Sequence, residues 1–150
     1  MDPKLKKCPE CGGRMKTLPT TTFDTVSVGK VTVEGEHEEC AACGQIYYGC
    51  ETARKFEKKR DGLIQKALWK ELLDSGDFDS RYVSTAEAAG ILKVSPRELR
   101  PVKSHAGRAW VGRAILRGSV YRISIKGREW WNVRSLELYR DTGDGRYKLN

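Results

Sequence analysis

Two cysteine pairs of identical spacing, Cys8-Pro-Glu-Cys11 and Cys40-Ala-Ala-Cys43, stand at either end of a stretch rich in Thr, Val and Gly. A tetrahedral d10 cation takes four thiolates most readily when each pair sits on a tight turn. The glycine after each second cysteine, Gly12 and Gly44, lets backbone amides swing toward the sulfurs. A redox dithiol fits less well, because that motif opens a helix in a βαβ unit and normally comes once, whereas here two copies flank strand-like sequence. The spacing therefore predicts one zinc ion held by Cys8, Cys11, Cys40 and Cys43. Four protein thiolates leave no coordination position for water or substrate, so the metal is expected to be structural. With four cysteines completing the set, His37 is read as a surface residue and Cys50 as a half-buried spare thiol.

A module of about fifty residues is too small to be stable on its core alone, and a chain of 150 residues has room for a second one. Charge separates the two. Residues 1–50 carry 6 basic and 7 acidic side chains, residues 51–80 carry 7 and 7, and residues 81–150 carry 15 and 6, so the net charge of +8 belongs to the last segment. Of those 15 basic residues 11 are Arg, whose planar fork suits phosphates and base edges. A membrane surface is the competing polyanion, but the segment has no basic amphipathic helix, lipidation motif or long apolar run. The N-terminus leads directly into the first thiol pair without a secretory pattern, and an odd cysteine count arranged for zinc points to a reducing cytoplasm, bacterial or phage-encoded. An enzyme is not expected: two isolated His, no nucleophile and base pair, no phosphate loop and no open metal.

Along the chain, Phe23, Val26 and Val28 precede a Gly29-Lys30 turn, and Val31 and Val33 alternate with polar residues after it, a strand-turn-strand pattern. A third strand is expected at Gln45-Ile46-Tyr47-Tyr48. Residues 1–50 thus read as a zinc ribbon. From Glu51 to Asp74 the period becomes helical, with Phe56, Leu63, Ile64, Ala67 and Leu68 on one stripe. Residues 51–80 read as a connecting helix and acidic linker, its stripe available to a second copy of the chain or a partner through Phe56, Leu63 and Leu68.

Residues 81–140 have a different grammar. Ser84 caps a helix with Glu87 three residues on, and Ala88, Ile91 and Leu92 supply its buried face. Ser95 caps a second helix with Pro96 at its first position. Val120–Ile125 and Glu129–Val133 read as strands joined by a basic tip, Lys126-Gly127-Arg128, and a closing helix starts near Asn132. The whole is α+β, a winged helix-turn-helix following the ribbon, with residues 141–150 as a polar tail. Arg97, Arg100 and Lys103, on or after the second helix, and the wing residues Lys126 and Arg128 are the candidate contacts to double-stranded DNA. Pro101 removes a backbone donor six residues after the Ser95 cap, so that helix is expected to be short or kinked. Of Trp130 and Trp131, adjacent on a strand, one must face inward; the outward one is a candidate partner surface or a platform for unpaired bases.

Residues 7–75, with Lys7-Cys8-Pro9-Glu10-Cys11-Gly12-Gly13, a valine-rich hairpin and Cys40-Ala-Ala-Cys43-Gly44-Gln45, resemble the MqsA/YgiT-type zinc-finger family of antitoxins and regulators. The resemblance implies a structural zinc on the four cysteines, an N-terminal module that engages a toxin-like protein, and a C-terminal module that binds operator DNA. Residues 82–140 resemble instead the excisionase/MerR-type winged helix, through Tyr82-Val-Ser-Thr-Ala-Glu-Ala-Ala and Gly127-Arg-Glu-Trp-Trp-Asn-Val. The expectation is a zinc-containing DNA-binding transcriptional regulator, antitoxin-like or a phage-type repressor. Two alternatives stand beside it: an interaction adaptor tethered nonspecifically to nucleic acid, and an excisionase-like factor that bends DNA.

Overall fold

A computed structural model describes residues 5–76, 78–99 and 118–149. The chain divides into two units, Met1–Leu63 and Ile64–Asn150. Among the described residues these hold two three-stranded antiparallel sheets and five helices, a mixed α+β composition. The division falls at Leu63/Ile64, inside the helix α1 (Cys50–Ser75), and not at the turn-rich segment that follows it.

In the first unit β1 (Met15–Thr25), β2 (Gly29–Cys40) and β3 (Ile46–Tyr48) lie in that order. The hairpin is longer than the valine pattern alone suggests, and its turn falls on Val26-Ser27-Val28, one step before the expected Gly29-Lys30. Thr25 closes that turn, donating to the Gly29 carbonyl (2.7 Å) and accepting from the Val28 amide (3.1 Å). One face of the sheet, with Thr21, Val31 and Val33 buried, is covered by the first turns of α1: the Phe56 ring stacks on Phe23 at 4.1 Å and the Tyr48 ring meets Phe23 edge-on at 4.7 Å.

The ladder slips once, between Leu18↔His37 and Thr20↔Glu34, so Gly35 and Glu36 together oppose Pro19. Proline has no amide hydrogen to lose there, which makes its position a natural one for a bulge. The carbonyls the bulge frees are taken by threonine hydroxyls, Thr21 to Gly35 (2.8 Å) and Thr52 of α1 to Glu36 (3.0 Å). His37 lies just past the bulge. It is buried, against the expectation of a surface residue, and its Nδ1 lies 3.0 Å from Thr21 Oγ1. Thr21 has already given its one proton to Gly35, so His37 Nδ1 carries the hydrogen of that bond.

In the second unit the sheet order is β4 (Tyr82–Ser84), β6 (Arg128–Asn132), β5 (Arg122–Ile125). The central strand separates two cores. Trp131 faces Ala88, Ala89, Leu99, Val120 and Leu136; Trp130 faces the opposite way, onto a cluster built on Leu68, Tyr82, Tyr121, Ile123 and Tyr147, and its ring meets Phe78 at 4.9 Å. The expectation that one of the pair faces outward therefore fails, since both are packed. The rule gives opposite sides, but the second half of α1 covers the second side through Ile64, Leu68 and Leu72.

Local caps set the helices. Ser84 Oγ accepts from the Glu87 amide (3.3 Å) at the start of α3 (Thr85–Leu92), which ends at Lys93 in the left-handed region. At α4 (Pro96–Leu99) the Ser95 amide donates to the Glu98 carboxylate at 3.0 Å and Ser95 Oγ accepts from the Arg97 amide at 3.4 Å. A single helical turn, α2 (Phe78–Arg81), precedes β4. Asn132 caps α5 (Val133–Thr142), its Oδ1 accepting from the Ser135 amide at 2.9 Å.

The segment after α5 is not the expected polar tail. Tyr147 is buried; its hydroxyl donates to Asn132 Oδ1 (3.0 Å), and the Tyr121 hydroxyl donates to its carbonyl (2.6 Å) while accepting from its amide (3.1 Å). Burial pushes the Tyr147 hydroxyl above the usual tyrosine range, which keeps it a donor. Gly145 makes this return possible: its amide donates to the Ser119 carbonyl (2.9 Å), and a Cβ there would stand 2.4 Å from the Ser135 carbonyl oxygen and 2.8 Å from that of Ser119. Gly145→Ala is expected to lower the stability of the second unit by about 1–3 kcal/mol, as overpacking against backbone does. Chemical denaturation followed by tryptophan fluorescence checks this, because Trp69, Trp130 and Trp131 all lie among that unit's described residues.

Candidate metal centre

The two thiol pairs fold as copies of one turn. In the first, the Cys8 amide donates to the Gly13 carbonyl (2.9 Å) and the Gly12 amide to the Cys8 carbonyl (2.8 Å). In the second, the Cys40 amide donates to the Gln45 carbonyl (2.9 Å) and the Gly44 amide to the Cys40 carbonyl (3.0 Å). Gly12 and Gly44 have φ of 72° and 75°, the left-handed conformation that glycine takes without steric cost. The Ala41 amide, donating to the Arg14 carbonyl at 3.0 Å, ties one turn to the strand that leaves the other.

This brings Sγ of Cys8, Cys11, Cys40 and Cys43 within 4.8 Å of one another. Between turns, Cys8 and Cys43 sulfurs are 3.7 Å apart and those of Cys11 and Cys40 3.5 Å. Four thiolates bound at about 2.3 Å around a tetrahedral ion stand about 3.8 Å apart, so the set fits one four-sulfur metal site. Cys8 and Cys40 are buried, Cys11 and Cys43 exposed. Cys50, at the start of α1, is exposed and outside the group.

The sulfurs differ in their hold on a proton. The Cys43 amide, pointing at Cys40 Sγ from 3.5 Å, draws the Cys40 thiol down to about 6, and the Cys11 amide likewise lowers Cys8. At Cys43 the Gln45 amide favours the thiolate but is outweighed by the neighbouring sulfurs, Cys11 first, and the group is pushed up to about 12. At Cys11 the Gly13 amide is outweighed in the same way, chiefly by Cys40.

Two residues around the cluster escaped the motif. Gly13 must lack a side chain, because a Cβ would stand 2.9 Å from both Cys40 Sγ and Ala42 Cβ; the doubled glycine after Cys11 is its only sequence signal. At Tyr47 of β3, burial followed by the charge of Cys8 raises the pKa of the hydroxyl. Nothing in a three-residue strand points to that effect.

The other expected site residues are dispersed. Leu68 is fully buried in the second unit's core and Phe56 is stacked on Phe23, so neither is free for a partner; Leu63 is 39% exposed, as are Trp69 at 37% and Leu73 at 75%. Arg100, Pro101 and Lys103 lie outside the described residues. The basic side chains of the second unit sort by what they touch. Arg81 pairs with Glu71 (2.5 Å), Arg122 with Glu129 (3.4 Å), Arg140 with Asp141 (3.0 Å) and Arg146 with Asp144 (3.0 Å), while the Arg134 guanidinium covers the Tyr147 ring at 4.5 Å. Lys66 and Lys70 of α1 and Lys93, Arg97, Lys126, Arg128 and Lys148 are exposed and make no ion pair with a described residue.

No helix among the described residues is long and apolar enough to cross a membrane. Comparison of the chain with protein-family models, curated proteins and solved structures gives no match.

A metal entering this site displaces the protons of Cys43 and Cys11, both held above the ordinary thiol value, while Cys40 gives up little. Affinity is therefore expected to fall at least a hundredfold for each pH unit lowered between 8 and 7, measured by competition with a chelating dye. Gly13→Ala is expected to weaken binding further at fixed pH by crowding Cys40.

Proposed function

We propose that the chain is a DNA-binding transcriptional regulator whose first unit is a zinc ribbon and whose second is a winged helix-turn-helix. Zinc is the ion of choice for four thiolates at tetrahedral separations, and with every position filled it stabilises the fold and performs no chemistry. The observation that carries the DNA reading is the sorting of cations. Of the second unit's described basic residues, those left without a carboxylate or ring include Lys93 at the α3–α4 turn, Arg97 on α4, Lys126 at the β5–β6 turn and Arg128 at the start of β6. Support comes also from the element order: two capped helices joined by a short turn, then a two-stranded hairpin.

In this reading Arg97 reaches a base edge, Lys126 and Arg128 hold phosphates, and Arg100 and Lys103, outside the described residues, are further candidate contacts. The resemblance to zinc-finger antitoxins adds a toxin-like partner for the first unit and a cytoplasmic role in repressing transcription. A second reading, an interaction adaptor held loosely on nucleic acid, is favoured by the exposed Trp69 and Leu73, four residues apart on one face of α1.

Salt titrations of binding to a selected site and to random duplex separate the two. Lys126→Ala/Arg128→Ala is expected to weaken both and to flatten the log–log salt dependence by about 0.9 for each phosphate that is no longer neutralised. Arg97→Ala is expected to cost about 1–3 kcal/mol on the selected site and to spare random duplex. Equal binding of both duplexes by all variants leaves the adaptor.

A further inference from the structure

Only two non-glycine residues among those described have positive φ, and both are lysines: Lys93 at 55° and Lys126 at 50°. The conformation is costly for any residue with a Cβ and is usually given to glycine or asparagine. The structure itself follows that preference elsewhere, with Gly143 ending α5 at φ 80° and Gly127 completing the β5–β6 turn at 77°.

At Lys93 the left-handed geometry serves the backbone alone. Its amide turns back to the Ala89 and Gly90 carbonyls, the Val94 amide reaches the Ala89 carbonyl at 3.0 Å, and α3 is closed before Ser95 begins the next helix. At Lys126 it gives the two-residue turn between the paired residues Ile125 and Arg128 the twist that antiparallel strands require. Neither turn uses the lysine side chain. Both ammonium groups are exposed and without an ion pair to a described residue, although carboxylates pair with four arginines of the same unit. A glycine or asparagine would make each turn with less strain, so what the lysine adds is a cation at the tip.

We propose that Lys93, together with Lys126, is a phosphate contact whose left-handed backbone trades folding stability for a positive charge held at a tight turn. This rests on the DNA-binding reading and extends it to the turn between α3 and α4, where Lys93 positions the second helix by gripping the backbone beside it. Both residues contact the phosphodiester chain of duplex DNA and neither reads sequence.

The test compares wild type with Lys93→Gly, Lys126→Gly and Lys93→Gln in the full-length, metal-loaded protein, by urea denaturation and by salt titration on duplex DNA. Each glycine variant is expected to unfold at higher urea yet bind with a log–log salt slope smaller by about 0.9. Lys93→Gln keeps the backbone strain and loses the charge, so its slope falls without any gain in stability. A Lys93→Gly protein that binds with the wild-type slope, while Lys126→Ala/Arg128→Ala is weakened, overturns the assignment of Lys93 and leaves the DNA reading intact. A Lys93→Gly protein that unfolds at lower urea overturns the trade. Wild type that shows no salt-dependent duplex binding overturns both.

Discussion

Four cysteine sulfurs within 4.8 Å of one another cannot all carry charge without strong mutual repulsion, and the first unit is organised around that constraint. Amides of the two turns favour the thiolate at Cys8 and Cys40, and the remaining pair then holds its protons more tightly. A divalent cation resolves the conflict by converting repulsion into four bonds. What the sheet contributes is delivery: a long hairpin carries the chain away from the first turn and returns it to place Cys40 beside Cys11. So small a unit, with Val31, Val33 and the Phe23–Phe56 stack as much of its apolar interior, has few other means of fixing its two ends together.

What is legible in the chain is local. Ser84, Ser95 with Glu98, and Asn132 satisfy amides within a few residues of themselves, so their roles are written in adjacent letters. The four cysteines belong with them, because a repeated spacing encodes a turn. What the letters hide depends on distant chain. One of Trp130 and Trp131 reads as outward until Leu68 and Tyr147 cover the Trp130 face; Leu68 reads as available until that same core encloses it. The residues after Asp141 are polar by composition, yet Tyr147 draws them to the interior through a bond to Asn132, with Gly145 held against Ser119. His37 is buried with its ring held against Thr21 on the neighbouring strand.

Charge follows the same division. The excess of arginine and lysine in residues 81–150 is plain from the sequence, but composition cannot distinguish a cation spent on a neighbour from one held in reserve. The structure makes that distinction: Arg122 and Arg146 are engaged inside their own unit, and Arg134 lies over a tyrosine ring. Of the unengaged ones, Lys93 and Lys126 stand at turns, Arg97 on α4, Arg128 at the start of β6 and Lys148 in the segment after α5. Net charge is thus a poor guide to a surface, and pairing a better one.

The bulge at Gly35 and Glu36 reaches beyond its own carbonyls. Side chains on a strand alternate in facing, so odd-numbered Val31 and Val33 and even-numbered Cys40 would point to opposite sides of an unbroken β2. The two-for-one step opposite Pro19 reverses the phase, putting Cys40 and Glu38 on the side of Val33 and Val31, across from Met15, Thr17, Thr21 and Phe23. The interval between the two thiol pairs is thus a parity condition as well as a length. The hairpin can grow or shrink by matched pairs of residues across its two strands, but losing either bulge residue alone would turn Cys40 away from its three companions and break the cluster in a chain whose cysteine motifs were all still present.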